Sequence, residues 1–476
     1  MAKQLFNTSE KSNLILNMTE DSYSRLASAG ILTACFSTSA ATIIPIVMGN
    51  RAYSVSAIGT AVAGTLCMVI AIIGLIKKYV GKKLLVPVCA MGFMLVWGFI
   101  SAMASEDPAV GIYGFSGRGE GMLTITFYGC FFIAAACVRR ERALKTLIFG
   151  ILGNGLLNCV FGLIQIFTGK LSDFALIGSD LSANAASGLS QSPMFLAMVL
   201  GISIGAALLG FAIFTGKPEK ILCIVSAAVF SFVNVFTYSL LGICGTALAV
   251  IAAIVFIFAA KKPKKLLVSV IAVIVPFVSG ILLVNAGAVG NISQYRLYDG
   301  RILWFADSYM RINSSGTYDG KLIDIDDTEE VYYTLNRKTK DIISSSKLLG
   351  TGPDQLIYPQ IYTTGDGVYA NPTVEDIAII NKGTFDRVYN EYLNAAATRG
   401  IPSAAAFVLI LLSAVVMGFR NFRKSRNQLT LAMLLMTVMS GLLFLIGCSS
   451  TAFSPIFWLI AGLGIAEINK KEEQKE

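Results

Sequence analysis

Three clusters of ionisable and amide side chains stand out in an otherwise apolar chain, and each has residue types suited to group transfer. In Gly300-Arg301-Ile302-Leu303-Trp304, an arginine and a tryptophan three positions apart share one face of a helix. The guanidinium offers a planar fork of donors that fits phosphate or diphosphate oxygens. The alternative is interfacial anchoring, with Trp304 in the aromatic belt and Arg301 snorkelling to headgroups. The second cluster, Leu348-Leu349-Gly350-Thr351-Gly352-Pro353-Asp354, is a tight turn. Gly350 and Gly352 let backbone N–H groups approach an anion, or simply make a loop turn.

The third cluster is Phe385-Asp386-Arg387-Val388-Tyr389-Asn390-Glu391-Tyr392-Leu393-Asn394, followed by Thr398-Arg399-Gly400. On a helix Asp386, Asn390 and Asn394 recur every four residues along one face, with Arg387 and Glu391 as neighbours on the adjacent one. Such a polar face lines an aqueous space, unless it is a surface ion pair worth roughly a few tenths of a kcal/mol. An earlier loop, Gly117-Arg118-Gly119-Glu120-Gly121, adds Arg118 as a second phosphate contact or a solvated charge. The acidic run Asp324, Asp326, Asp327, Glu329 and Glu330 lacks the glycine and spacing of a calcium loop, so it reads as a solvated segment and no metal or cofactor is expected. Histidine is absent from the chain, which removes the commonest base near neutral pH and the commonest zinc ligand.

Membrane helices must position these residues. Of 476 residues, 55% are hydrophobic and 14% charged, with a mean hydropathy of +0.69; soluble domains are about a quarter charged, so a soluble globule is excluded. A span needs about 20 apolar residues. Twelve stretches come close: 26–49, 55–76, 84–104, 122–138, 146–167, 194–215, 221–241, 242–260, 266–288, 402–418, 429–447 and 453–468. The expected class is therefore all-α and polytopic, with spans one to nine over 26–288, a large loop over 289–401 and three more spans over 402–468. Residues 1–25 and 469–476 are expected to be tails, the first too polar for a cleavable signal.

Positive charge sets the orientation. Every second connection is basic: Lys77, Lys78, Lys82 and Lys83; Arg139, Arg140, Arg142 and Lys145; Lys217 and Lys220; Lys261, Lys262, Lys264 and Lys265; Arg420, Arg423, Lys424 and Arg426. The short intervening loops offer only Arg51, Arg118 and Lys170. Both termini are then expected in the cytoplasm of a cell-membrane protein, with 289–401 on the outer side. The net charge of +9 is distributed as membrane-orienting clusters, so the lipid bilayer is the expected partner and nucleic acid is not. All nine cysteines lie in or beside apolar runs, which leaves no disulfide framework for the loop. Glu467 is the one ionised residue within the drawn spans, which weighs against an ion-coupled transporter. Transport or lipid-linked oligosaccharide flipping is kept as the alternative, since glycine-rich spans can break to form ion sites.

Together, the Arg301-x-x-Trp304 pair after a late span, the Gly350–Asp354 turn, and the Asp386–Leu393 helix with Thr398-Arg399-Gly400-Ile401 leading into the next span resemble the O-antigen ligase and O-antigen polymerase family. The Gly117–Gly121 loop, the Gly162-Leu163-Ile164-Gln165 stretch and Gly188–Pro193 follow in family-like order. The resemblance implies a metal-independent membrane glycosyltransferase without cofactor, working on the outer face. Its donor would be a polyprenyl-diphosphate-linked glycan, and its acceptor a second glycan or a surface molecule. Arg301 would hold the diphosphate, with Arg399 and Arg118 as further contacts, while the Tyr389-Asn390-Glu391 region would orient or deprotonate the attacking hydroxyl. Ligases of the family commonly have a histidine just before this asparagine; here Tyr389 stands there, and Glu391 becomes the candidate base. Tyr238-Ser239-Leu240 likewise lacks an arginine that often follows the serine.

Overall fold

The computed structural model describes residues 17–48, 55–115, 118–169, 185–237, 239–285, 339–356 and 387–468. Among them the chain is all helical: α1 Glu20–Met48, α2 Val55–Ile76, α3 Leu85–Met103, α4 Pro108–Tyr113, α5 Met122–Ala136, α6 Glu141–Thr168, α7 Pro193–Ile213, α8 Lys217–Val235, α9 Leu240–Ala259, α10 Leu266–Asn285, α11 over 339–345, α12 Glu391–Ser425, α13 Gln428–Leu443 and α14 Ser454–Ile465. Nine of these described helices are long and apolar enough to cross a membrane. The shorter apolar helices α5, α13 and α14 occupy three more of the expected stretches. The chain is thus a multi-pass membrane protein by length and composition.

Burial follows from apolar patterning. Helix α7 is apolar all round and buried over nearly its whole length, so it takes the centre, against α6, α8, α9 and α13. Helix α10 packs mainly on α8 and leaves Leu267, Ile271, Val275, Val278 and Leu282 exposed, a face suited to lipid. An aromatic cluster joins α12, α13 and α14: Phe407 stands edge-on to Phe444, Phe457 and Trp458 at 5.9, 6.0 and 5.8 Å.

One expected boundary moves. Stretches 221–241 and 242–260 put the turn at Leu241, but α8 ends at Val235 and α9 begins at Leu240. The break comes earlier because Asn234 turns its amide onto Gly242 O and Thr246 Oγ1 at 2.9 and 3.1 Å, and Ser239 caps α9 through Leu241 N. A second irregular stretch, 185–192, precedes α7. Its backbone groups are met by side-chain amides: Gln165 Oε1 accepts from Ser187 N and Gly188 N at 2.9 and 2.8 Å, and Asn158 Oδ1 from Leu189 N at 2.9 Å. Non-helical backbone among apolar helices requires such partners.

The basic connections gather at one end of the bundle. Arg139 bonds Glu467 at 3.1 Å and Lys83 reaches it at 3.5 Å; Arg140 pairs with Glu20 at 3.2 Å; Asn427 donates to Glu141 at 2.6 Å. Lys262 and Lys265 donate to Ala212 O at 2.8 and 2.9 Å, where cations suit the C-terminal carbonyls of α7. Burial alone pushes the Glu467 carboxyl up, but the Arg139 hydrogen bond and the nearby Lys83 charge outweigh it and hold the group below its ordinary range. A carboxyl depressed in the folded state stabilises above its unfolded value, and that contribution disappears as pH falls through the folded one. Glu467→Gln is therefore expected to weaken the protein slightly at neutral pH, by less than about 1 kcal/mol because the pair is part-exposed. The same substitution is expected to have no effect under strongly acidic conditions. Paired melting curves across pH check this, and a deficit that persists in acid counts against it.

Candidate functional site

At the opposite end, helices α3, α5, α12, α13 and α14 meet around six charged side chains. Arg118, Glu120, Arg387, Glu391 and Arg399 are only 4–7% exposed, and the Asp354 side chain is as deeply buried. Three guanidinium and three carboxylate groups balance, as buried charge requires.

Helix α12 is built in two parts, and its break makes the site. Asn390 is its N-cap, accepting from Tyr392 N and Leu393 N at 3.0 and 3.2 Å. Glu391 opens the first turn, its backbone N donating to Phe444 O and Gly447 O at 2.9 and 3.0 Å, which ties α12 to the irregular connector after α13. The first part ends at Arg399, because Gly400 adopts φ 80°, ψ 161°. The carbonyls freed by the break, Ala397 O and Thr398 O, accept from Thr351 N and Gly352 N at 2.9 Å each, and Ile401 N returns to Lys347 O at 2.9 Å. Segment 347–352 is held from the other side by Trp97, whose Nε1 donates to Leu348 O at 2.9 Å, and by Ser101, whose hydroxyl donates to Leu349 O at 2.5 Å.

This path delivers Asp354 into the charge cluster. Its carboxylate accepts from Phe115 N and Glu120 N at 2.7 and 3.3 Å, faces Arg118 at 3.4 Å and lies 4.0 Å from Arg387. Glu120 in turn pairs with Arg387 at 2.5 Å and accepts from Tyr128 OH at 2.8 Å and Ser449 Oγ at 3.0 Å. Arg387 also donates to Ser449 O and lies over the Phe195 ring. Glu391 Oε1 accepts from Arg399 Nη2 at 2.9 Å, while its Oε2 accepts from Ser449 N at 2.8 Å and Asn394 Nδ2 at 3.2 Å. Ser449 thus touches Glu120, Arg387 and Glu391 at once.

Glu120, Asp354, Arg387, Glu391 and Arg399 line a cavity of about 40 Å³ whose floor includes Phe407, Phe444 and Trp458. That volume admits a few water molecules but not a sugar ring. A carboxylate beside a guanidinium can orient or deprotonate a hydroxyl while the guanidinium receives an anionic oxygen. Among the described residues no group of three or more His, Cys, Asp or Glu side chains is placed to hold a metal ion.

The expected residues fall in several places. Arg301, Trp304 and Asp386 lie outside the described residues, as do the acidic run and Tyr238. Glu391, Arg387 and Arg399 come together at the cavity. Arg118 sits behind it against Asp354. Asn390 serves the backbone of α12, and Tyr389 packs on the apolar core. The helix starts only at Glu391, so Arg387 lies in non-helical chain ahead of it, where it faces Glu120. Gly350 and Gly352 make the loop turn: Gly350 N donates to Ser346 O, and Thr351 N and Gly352 N are spent on α12 carbonyls, so these three are not offered to an anion. Sequence reasoning did not single out Glu120, Tyr128 or Ser449 as site residues. Glu120 carried a signal, as an acid directly before an apolar run; Tyr128 and Ser449 carried none.

No protein-family model and no curated protein matches this chain.

Proposed function

We propose that this protein is a membrane glycosyltransferase of the O-antigen ligase or polymerase type, acting on a polyprenyl-diphosphate-linked glycan at the outer face of the cell membrane. The carrying observation is the buried Glu391–Arg399 pair at a cavity on the end of the bundle opposite the basic connections. With twelve spans and cytoplasmic termini, that end faces outward. Nucleotide sugars are confined to the cytoplasm, so an outward-facing transferase needs its leaving group delivered on lipid. Arg301, Arg399 and, from behind, Arg118 supply positive charge to the departing diphosphate, and Glu391 takes the proton of the attacking hydroxyl.

Glu391→Gln is expected to lower glycan transfer by about 10²–10⁴-fold, the usual contribution of a positioned base. Arg301→Ala is expected to abolish transfer, and membrane-inserted protein should stay constant in both. Mass analysis of surface glycans, with immunoblots of membranes, reads these outcomes. Changed chain length on deletion indicates a polymerase, and a lost conjugate a ligase. Undiminished transfer in Glu391→Gln removes that carboxylate from the chemistry.

The break at Gly400 and the irregular connector between α13 and α14 favour a second reading, since discontinuous helices also build transporter sites. Reconstituted vesicles separate the two: a flippase or transporter moves its substrate without forming a glycosidic bond.

A further inference from the structure

The two members of the Glu391–Arg399 pair are held very unequally. Glu391 is fixed from three sides: Arg399 on Oε1, and the Ser449 backbone N–H and Asn394 amide on Oε2. Glu120, held by Arg387, Tyr128 and Ser449, stands on the far side of Ser449. Arg399, by contrast, has five N–H donors and bonds only Glu391 among the described residues. It also sits at the very end of its helical segment, next to the Gly400 break, and lines the cavity. Arg387 has no such freedom, being engaged by Glu120, Asp354, Ser449 O and the Phe195 ring. If Arg399 turns away, Glu391 therefore stays in place.

In the closed arrangement Glu391 is a poor base, since three of its roughly four lone-pair positions are occupied, one by a cation. The cavity is also too small for a sugar. An anionic oxygen that draws Arg399 to itself changes both conditions in one movement. It vacates Glu391 Oε1 and moves a side chain that lines the cavity.

We propose that Arg399 is a ligand-operated switch: binding of a phosphate or diphosphate group moves its guanidinium off Glu391 Oε1 and thereby arms that carboxylate to receive a hydroxyl. The proposal rests on the transferase reading of this site and adds its order of events. Donor binding precedes activation of the acceptor. The acceptor O–H proton passes to Glu391, its oxygen forms the new bond to the sugar anomeric carbon, and the bond from that carbon to the diphosphate breaks with its electron pair leaving on the diphosphate. Without donor, the base is capped and water is not activated.

The test uses the full chain purified in detergent and inorganic pyrophosphate as probe. Calorimetry measures binding, and infrared difference spectra with and without pyrophosphate report the carboxylate stretching bands. Wild type is expected to bind and to shift one carboxylate band, a shift absent from Glu391→Gln. Arg399→Gln is expected to weaken binding at least tenfold. Glu391→Gln is expected to tighten it severalfold, because no ion pair has to open. Loss of a negative charge would by itself tighten an anion, so the wild-type band shift, assigned to Glu391 by its absence from Glu391→Gln, is the deciding arm. Pyrophosphate binding with unchanged carboxylate bands, or the same band shift in Glu391→Gln, overturns the switch and leaves the site reading intact. No pyrophosphate binding by wild type overturns both.

Discussion

Replacing Arg387 with methionine is expected to destabilise the folded protein by about 3–5 kcal/mol, the usual penalty for stripping one partner from a buried ion pair. Methionine fills much the same space, so the loss comes from electrostatics and not from a cavity. Glu120 then keeps only the Tyr128 and Ser449 hydroxyls while remaining buried, and Asp354 keeps Arg118 and two backbone N–H groups. Adding Glu120→Gln in the Arg387→Met background is expected to restore most of the loss. A glutamine carbonyl still accepts from Tyr128 and Ser449, and no buried charge is left without its counter-ion. Unfolding in mixed micelles, followed through the single and double variants, measures the coupling. A double variant no more stable than Arg387→Met would mean that the pair is not the reason for the loss.

The pairing on which this rests could not be read from the chain, and the reason is physical. Periodicity locates helices well because 3.6-residue geometry and apolar length are local properties; the stretches at 55–76 and 84–104 lie within a residue or so of α2 and α3. Orienting charge is also local, and the basic connections duly collect at one end of the bundle. The site was legible only in part. Glu391 and Arg399 lie on one short helical segment, so both could be marked as polar residues ahead of an apolar stretch. Helical spacing sets Arg387 beside Glu391, whereas its partner Glu120 comes from before α5, hundreds of positions away. Asn390 looked like chemistry and is a cap. Asparagine directly before an acidic first turn is a helix-start signal, which Asn390 and Glu391 carry in the chain. Ser449 acts largely through its backbone N–H and carbonyl, which every residue has, so no residue type could have announced it.

A loss of similar size is expected at Gly400, where Gly400→Ala meets two separate obstacles. Its φ of 80° with ψ of 161° is a region essentially reserved for glycine, costing about 1–3 kcal/mol for any other residue. An added Cβ would also lie 1.9 Å from Leu348 O and 2.4 Å from Leu348 C, backbone atoms that cannot rotate aside. Relief requires segment 347–352 to move off α12, at a further cost of about 1–3 kcal/mol typical of overpacking. That movement breaks the Thr351 and Gly352 bonds to Ala397 O and Thr398 O and withdraws Asp354 from Arg118 and Arg387. Stability and site geometry should therefore fail together. Gly169→Ala is the matched control: Gly169 has φ 64° at the end of α6, yet a Cβ there meets nothing within 4 Å, so only about 1 kcal/mol is expected. Melting curves of the two variants, with pyrophosphate binding as the site readout, separate conformational strain from steric collision. Equal losses in both would show that the α12 break does not depend on the cover formed by 347–352.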